Sequence, residues 1–250
     1  MIDKSQILNF KPEPQPIGDM KLIAPTSSPT IGNTTVVGST VYLMDCVAGM
    51  KEYPDKWFDL AVVDPPYGIG ADKEKFTPIN ETWKGKKKVG YEDKEWDLSI
   101  PEMEYFTELI RVSKNQIVWG ANYFGLVGGY LFWDKKETMP TYTKGELAWV
   151  SFINRVEKFD FLWSGYKKQV QEERIHPTQK PIYLYEYCFQ LAKLEKGMRV
   201  LDTHLGSGSS RIAADKNGLD FTAFEIDKQY YEGQEKRFKQ YKSQLRIEGW

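Results

Sequence analysis

A short polar sequence near residue 64 contains the residue types with the clearest chemical use. Asp64-Pro65-Pro66-Tyr67 directly follows residues 58–63, an apolar run typical of a buried strand. Proline fixes φ and lacks an N–H, so Pro65 and Pro66 stiffen the chain while their carbonyl groups remain acceptors. A carboxylate, rigid acceptors and an aromatic ring together suit a planar heterocycle with an exocyclic amine. A strand that ends in a polar turn explains the same residues, so both interpretations stay open here.

A second candidate site follows an apolar strand pattern at Val200, where a glycine-containing turn leads into a helix. Gly206-Ser207-Gly208 lets a ligand approach the backbone, and the next helix offers unpaired N–H groups. Glu225 ends the following strand, at about the spacing where an acidic side chain binds ribose hydroxyls. The third glycine of the dinucleotide fingerprint is missing, which disfavours NAD and favours a nucleoside cofactor without pyrophosphate. A tight turn without any ligand is the alternative.

A rigid polar turn lies just before that strand. His176-Pro177-Thr178-Gln179-Lys180-Pro181 ends in a proline at a predicted helix start, and Lys180 is placed to meet an anion. Taken alone, the segment favours a helix N-terminus beside a surface lysine.

The three motifs together resemble the amino-group DNA methyltransferases that use S-adenosylmethionine. The catalytic tetrapeptide comes first and the glycine-rich motif last, which is similar to the β class, a group with many adenine-N6 enzymes of phages and restriction systems. The resemblance covers roughly residues 40–235. It implies transfer of a methyl group to the N6 amine of a flipped adenine in double-stranded DNA, with S-adenosylhomocysteine as the product.

The resemblance also implies roles for individual residues. The predicted catalytic residues are Asp64, Pro65, Pro66 and Tyr67. The predicted cofactor-binding residues are Asp45, Cys46, Asp64, Thr178, Lys180, Asp202, Thr203, His204, Gly206, Ser207, Gly208, Glu225 and Ile226. Of these, Thr178 and Lys180 would meet the carboxylate end of the cofactor. A helix N-cap is the alternative role for Asp45, and a core thiol is the alternative for Cys46. No metal is expected, because two cysteines and two histidines give no ligand set.

Two departures from the family pattern concern cofactor and DNA. The common Asp-Pro-Phe-x-Gly-Ser-Gly sequence is Asp202-Thr203-His204-Leu205-Gly206-Ser207-Gly208 here, which changes the residues expected near the cofactor's methionine portion. The stretch between Phe152 and His176, where this class often has a target-recognition domain, is short. DNA recognition therefore falls to residues 68–97 or 164–174.

Residues 68–97 contain seven lysines and seven acids, with tryptophan and tyrosine interleaved and no clear helix or strand period. Such a long irregular segment is typical of a substrate-contacting loop, and a solvated insertion is the alternative. The predicted DNA-binding residues in this loop and in the second segment are Lys84, Lys86, Lys87, Lys88, Lys167, Lys168 and Arg174.

The elements that must position these motifs alternate between strands and helices. Apolar runs predict strands at residues 41–45, 58–63, 116–121, 130–133, 146–152, 158–163, 199–203 and 220–227, and a polar closing helix is predicted over residues 228–243. This alternation predicts an α/β fold with a mostly parallel twisted sheet covered by helices on both faces. By resemblance it is a Rossmann-like methyltransferase fold with permuted motif order, in which the strands before the two motifs are neighbours. We expect one methyltransferase domain over residues 36–250, a substrate-contacting insertion at about 68–97, and an N-terminal arm over residues 1–35.

Composition narrows the class without identifying the protein. The 250 residues include 41% hydrophobic and 28% charged residues, as expected for a globular protein. A net charge of −1 disfavours a general polyanion binder, so DNA must meet local basic patches. With no apolar run long enough to span a bilayer, we expect an intracellular protein. The resemblance implies the cytoplasm of a bacterial or phage-infected cell. A homodimer and a restriction endonuclease partner stay open.

Other functions remain as alternatives. A cytosine-N4 DNA methyltransferase, an RNA adenine-N6 methyltransferase and a protein-amide methyltransferase need a similar amine-binding tetrapeptide. A nicotinamide-dependent oxidoreductase would use the glycine turn and Glu225. A non-catalytic nucleic-acid-binding module would keep the fold without the chemistry.

Overall fold

The computed structural model describes residues 30–31, 34–35, 38–70, 97–140, 142–163, 168–170, 172 and 174–248. The predicted DNA-binding lysines 84, 86, 87, 88 and 167, and most of the predicted arm and insertion, lie outside the described residues. Two short strands, β1 (Thr30–Ile31) and β2 (Thr34–Thr35), pair antiparallel within the described part of the arm.

Eight further strands form one sheet. They are β3 (Ser39–Leu43), β4 (Phe58–Val63), β5 (Ser113–Trp119), β6 (Gly129–Asp134), β7 (Gly145–Val150), β8 (Val156–Asp160), β9 (Arg199–Asp202) and β10 (Asp220–Glu225). Their order across the sheet is β3-β10-β9-β4-β5-β7-β6-β8, and β7 pairs antiparallel with both of its neighbours. The other neighbouring pairs are parallel. The predicted mostly parallel sheet is therefore confirmed.

Helices cover both faces of this sheet. They are α1 (Cys46–Lys51), α2 (Met103–Val112), α3 (Ala121–Phe124), α4 (Ile182–Leu191), α5 (Ser209–Lys216) and α6 (Lys228–Glu248). Successive side chains of a strand point to opposite faces, so Leu60 and Val62 pack with α4 and α5 while Ala61 and Val63 pack with α1 and α2. Two buried apolar layers therefore hold β4 rigidly in the middle of the sheet.

The site lies where the chain connections diverge. Strands β4 and β9 are parallel neighbours, with Leu60 opposite Val200 and Ala61 opposite Leu201. From β4 the chain continues through α2 to β5 on one side, and from β9 it continues through α5 to β10 on the other. A crevice opens at the carboxyl ends of strands at such a point. The predicted juxtaposition of the two motif-bearing strands is confirmed.

Several element boundaries differ from the sequence prediction. The first core strand ends at Leu43 rather than at Asp45, because the Asp45 side chain caps α1 by accepting a hydrogen bond from the Ala48 N–H at 2.9 Å. The closing helix extends to Glu248 rather than ending near residue 243. Among the described residues, no helix combines the length and apolar character needed to cross a membrane.

Candidate active site

The Asp64 carboxylate is the centre of a polar cluster at the end of β4. The Tyr67 hydroxyl donates to Asp64 Oδ1, and the Lys180 ammonium pairs with Asp64 Oδ2. Burial raises the pKa of the Asp64 carboxyl, and the positive charge of Lys180 opposes that rise. Asp64 thus has two donors from this chain and lies on the wall of a cavity.

Lys180 occupies a different environment from the one that its sequence suggests. Its side chain is 3% exposed, and its ammonium lies 3.1 Å from Glu146 Oε2 as well as against Asp64. Lys135 pairs with the other Glu146 oxygen. Burial favours the neutral acid, but Lys180 and Lys135 outweigh it and lower the pKa of Glu146 to about 2. The structure therefore pairs Lys180 with two protein carboxylates, where the sequence suggested the carboxylate of the cofactor.

A second acid fixes the backbone of the tetrapeptide. Asp97 Oδ1 accepts hydrogen bonds from the Tyr67 N–H at 2.7 Å and the Gly68 N–H at 2.8 Å. Asp97 is 1% exposed. Sequence reasoning counted it only among the acids of the insertion, since nothing local indicates a bond across 30 residues.

Aromatic rings surround Tyr67. Its ring stacks on Tyr123, with centroids 4.9 Å apart and planes 15° apart, and the edge of Phe124 lies 6.0 Å away. Gly120 lies so close that a Cβ there would overlap the Tyr67 ring. One face of the Tyr67 ring is therefore covered by Tyr123 in this conformation.

The glycine turn forms the other end of the same cavity. Gly206 and Gly208 have φ of 51° and 73°, in the left-handed region that favours glycine. Glu225 Oε2 accepts from the Gly206 N–H at 2.7 Å, and Oε1 accepts from the Asp227 N–H at 2.9 Å. Each oxygen keeps a lone pair, so Glu225 can still accept hydroxyl protons from a ribose.

Asp202 and Gly208 support the turn from behind, although they were predicted to bind cofactor. Asp202 is 1% exposed and accepts from the His204 N–H at 3.0 Å and the Ser210 hydroxyl at 2.5 Å. Burial raises the pKa of its carboxyl to about 7. Gly208 packs against Gln234, where a Cβ would lie 3.1 Å from that side chain. Neither residue lines the cavity, because both face the packed side of the turn.

A polar chain takes the place of the proline and phenylalanine usual in this motif. The Tyr105 hydroxyl is hydrogen-bonded to Thr203 Oγ1 at 2.7 Å, and Thr203 Oγ1 to His204 Nδ1 at 2.9 Å. The other ring nitrogen of His204 lies 4.0 Å from Cys46 Sγ. Burial lowers the pKa of His204 to about 4, so its imidazole is neutral, and burial raises the pKa of Cys46 to about 12.

The remaining predicted cofactor residues line the same cavity. Asp45 does so while capping α1, and Ile226, 67% exposed, lies at its rim. Thr178 contacts His176 Nδ1 through its hydroxyl at 3.1 Å. The cavity measures about 780 Å³, within the range of small-molecule sites. Its walls bring together Asp64, Pro65, Pro66, Tyr67, Asp45, Cys46, Thr178, Lys180, Thr203, His204, Gly206, Ser207, Glu225 and Ile226.

Two predicted DNA-binding residues, Lys168 and Arg174, also line this cavity. The Lys168 ammonium donates to the Glu172 carbonyl at 2.9 Å and lies 4.7 Å from the centre of the Trp163 ring. Burial, with Arg174 nearby, lowers the pKa of Lys168. Among the described residues, no group of three or more His, Cys, Asp or Glu side chains is arranged to hold a metal ion.

Arg237 of α6 holds the glycine turn from outside the cavity, a role that the sequence did not indicate. Its guanidinium donates to the Ser207 carbonyl at 2.8 Å and pairs with Glu172 at 2.9 Å. Both side chains of this ion pair are less than a tenth exposed. The turn is therefore fixed relative to the segment that leads into α4.

Comparison with known proteins places this site in context. A family model described as DNA methylase matches residues 134–236, which include Lys180 and the glycine turn but not Asp64. The Type II methyltransferase M2.DpnII of Streptococcus pneumoniae is 33% identical over 87 residues, which are 34% of this chain and 32% of that protein. The match thus spans about a third of that relative.

A longer match and a solved structure extend the comparison. The Type II methyltransferase M.HinfI of Haemophilus influenzae is 23% identical over 256 aligned residues, covering 82% of this chain and 69% of that protein. The solved PvuII DNA methyltransferase, which is cytosine-N4-specific, aligns with 80% of this chain and 86% of its own at 14% identity and a TM-score of 0.52. Together these matches confirm the resemblance to amino-group DNA methyltransferases and, through the last of them, the fold.

Proposed function

We propose that this protein, whose matched segment is that of the N6/N4 DNA methylases, transfers a methyl group from S-adenosylmethionine to the N6 amine of adenine in DNA. The observation that carries the proposal is that Asp64 and the glycine turn, through Gly206 and Ser207, line one cavity. It opens between β4 and β9, where the connections diverge. An amine held at one end would meet a nucleoside cofactor held at the other.

The residues of the turn fit such a cofactor. Glu225 has acceptors for the ribose hydroxyls, and Cys46, Thr203, His204 and Ser207 would border the rest of the molecule. When bound, S-adenosylmethionine supplies an electrophilic methyl group on a sulfonium. Gly206 favours close approach, because its nearest neighbour, the His176 ring, lies 3.4 Å from where a Cβ would be.

The tetrapeptide prepares the amine. The lone pair of an adenine N6 is delocalised into the ring, which makes the nitrogen a poor nucleophile. Asp64 accepts one amino hydrogen and the Pro65 carbonyl the other, so the nitrogen is drawn toward tetrahedral geometry with its lone pair aimed across the cavity. Tyr67 supports the base from its ring face once Tyr123 makes room. Rate acceleration then comes from orientation and fixed dipoles.

Adenine is the proposed base because the tetrapeptide begins with Asp, whereas cytosine-N4 members of the resembling family more often begin with Ser. Neither cysteine adjoins the tetrapeptide, and burial raises the pKa of Cys188, which disfavours a thiol mechanism at cytosine C5. Double-stranded DNA is the proposed partner, with Lys168 and Arg174 at the cavity as candidate contacts.

The test is to express the chain in a host free of DNA methylation and to map modified bases by sequencing. We expect N6-methyladenine within one short word. In the matched control, Asp64→Ala abolishes the mark while the purified variant still binds S-adenosylhomocysteine in a calorimetric titration. Marks at cytosine N4 would correct the base. An unmodified genome, or full activity of Asp64→Ala, would refute the proposal.

A further inference from the structure

We propose that Lys180 keeps the Asp64 carboxylate ionised and oriented, and that Glu146 holds Lys180 in place to do so. The inference deepens the proposed function, because it assigns a positioning role to side chains beside the proposed catalytic group.

The four side chains form a ladder of alternating charge that begins at the tetrapeptide and ends at Lys135. Asp64 contacts Lys180, Lys180 contacts Glu146, and Glu146 contacts Lys135. The side chain of Lys180 is 3% exposed, whereas that of Lys135 is 18% exposed. A buried ammonium is costly unless carboxylates surround it, and here two do. Although burial disfavours the charged form, Asp64 and Glu146 outweigh it and raise the pKa of Lys180.

Ionisation of Asp64 depends on this cation. Burial alone favours the protonated acid, and Glu146 adds a further push in that direction. A protonated carboxyl oxygen would donate rather than accept, so it could not hold an amino hydrogen. Lys180 acts against both influences. The other titratable groups that face Asp64 are Tyr67, Tyr105 of α2, Tyr185 of α4 and Asp202 of β9, none of which is a cation.

The surroundings of Lys180 disfavour the role suggested by sequence, which was to bind the carboxylate of the cofactor. The ammonium has three N–H donors. Around it lie an Asp64 oxygen, Glu146 Oε2 at 3.1 Å and the Tyr67 hydroxyl at 3.3 Å. Three oxygens of this chain thus already surround its donors.

The primary experiment measures the ionisation of Asp64 directly in the cofactor-free protein. Aspartate is labelled with 13C at the side-chain carboxyl, the Asp64 resonance is identified from its loss in Asp64→Asn, and the resonance is titrated with pH. In Lys180→Met we expect Asp64 to titrate at higher pH than in the unaltered protein. Lys135→Met is the matched control, since it removes a cation of the same ladder that does not touch Asp64, and its titration should stay unchanged.

A second variant protects the test against misfolding. Lys180→Met leaves Glu146 with only one partner, so Lys180→Met/Glu146→Gln removes the uncompensated carboxylate as well. The titration should still move to higher pH, because the attraction of Lys180 for the carboxylate exceeds the repulsion from Glu146. Affinity for S-adenosylhomocysteine should change by less than about threefold in each Lys180 variant, the effect of at most one weak hydrogen bond.

The outcomes separate the inference from the proposed function. An Asp64 titration that is unchanged in both Lys180 variants overturns the inference, as does a large loss of cofactor affinity without a change in titration. If the unaltered protein methylates DNA, the acid limb of its rate profile should move to higher pH in Lys180→Met and stay in place in Lys135→Met. Absence of methylation refutes the proposed function while the carboxyl titration still decides the charge ladder.

Discussion

His204 is a residue at which this glycine turn departs from the common sequence of the resembling family. The related enzymes usually have phenylalanine at this place in the motif, and here an imidazole is packed between Tyr105 and Cys46. Its ring meets the Tyr105 ring edge-on at 5.4 Å, as an aromatic side chain would. Neutral imidazole can therefore substitute for phenylalanine in packing, while Thr203 satisfies its buried nitrogen at 2.9 Å.

The low pKa of His204 predicts a pH-dependent loss of stability. The unfolded imidazole titrates near pH 6.5 and the folded one near pH 4, so the unfolded state binds more protons between these values. The free energy of unfolding should fall as pH decreases from 6.5 to 4, by up to about 3 kcal/mol from this group. In His204→Phe that component should be absent. Urea unfolding of both proteins at pH 7.5, 5.5 and 4.5 measures the difference, and parallel pH profiles would contradict it.

The sequence predicted the site residues that belong to contiguous motifs, but not those that act through contacts with distant residues. The tetrapeptide and the glycine turn are each contiguous, so their chemistry is legible along the chain. Glu146 pairs with Lys180, 34 residues away, and Asp97 bonds to backbone groups 29 and 30 residues away. No local sequence pattern indicates either contact. Lys180 was recognised as a site residue, but its partner could not be inferred because the pairing depends on β7 lying beside β5.

Helix α3 is a single turn held between two glycines in the left-handed conformation. Gly120 precedes it with φ of 78° and Gly125 follows with φ of 65°. The turn presents Tyr123 to the ring of Tyr67, and Tyr123 is 42% exposed. A base could stack on the face of the Tyr67 ring that Tyr123 now covers only if this turn moved.

The two glycines predict different effects of the same substitution. Gly125→Ala adds a Cβ that meets nothing within 4 Å, so only the left-handed strain remains, at about 1 kcal/mol. Gly120→Ala adds the same strain and an overlap with the Tyr67 ring, for about 2–4 kcal/mol in total. Gly120→Ala should also lower kcat by about tenfold or more through displacement of Tyr67. Thermal unfolding and methyl-transfer rates test this pair, and equal effects of both substitutions would contradict it.

Elements were predicted more reliably than their ends. Apolar patterns located every strand of the main sheet, because burial of one face gives an alternating pattern and burial of both faces gives a continuous apolar run. The ends depended on side chains that bond to the backbone, as Asp45 does at the start of α1 and Ser113 does where α2 passes into β5 with no loop. Such side-chain hydrogen bonds compete with those of the helix or strand backbone. They involve single residues at an element's end, so the apolar periodicity of the sequence does not reveal them.

The molecule as a whole brings three distant segments to one crevice, and α6 ties two of them together. Arg237 should therefore matter to both stability and binding. Arg237→Met leaves the buried carboxylate of Glu172 without its partner, and we expect a loss of about 3–5 kcal/mol in the free energy of unfolding. Cofactor affinity should also fall, because the Ser207 carbonyl loses its donor at 2.8 Å.

Matched variants identify the source of that loss. Lys242→Met breaks the ion pair between Lys242 of α6 and Asp215. Because the Lys242 side chain is 49% exposed, the free energy of unfolding should fall by at most about 1 kcal/mol. Arg237→Met/Glu172→Gln should recover much of the stability but not the cofactor affinity. Chemical denaturation and calorimetry measure both quantities. Recovery of affinity together with stability would mean that Arg237 acts only by general stabilisation.

For the whole molecule, the sequence predicted which central strands of the sheet are neighbours but not the order of the strands at the β8 edge. Motif order and resemblance predicted that the strands before the two motifs are adjacent, and the β4–β9 ladder confirms it. The position of β8 beside β6 could not be predicted, since short strands of similar pattern fit several orders. The part of DNA recognition assigned to residues 84–88 stays a prediction.

Because Lys180 neutralises Asp64 and Lys135 neutralises Glu146, these four side chains present no net charge to an approaching polyelectrolyte. If DNA is the substrate, its long-range attraction must then arise from other cations, such as Lys168 and Arg174, and the release of counterions measures those cations alone. Ionic strength would accordingly govern how tightly the duplex is held, while the extruded base would experience a field that added salt scarcely alters.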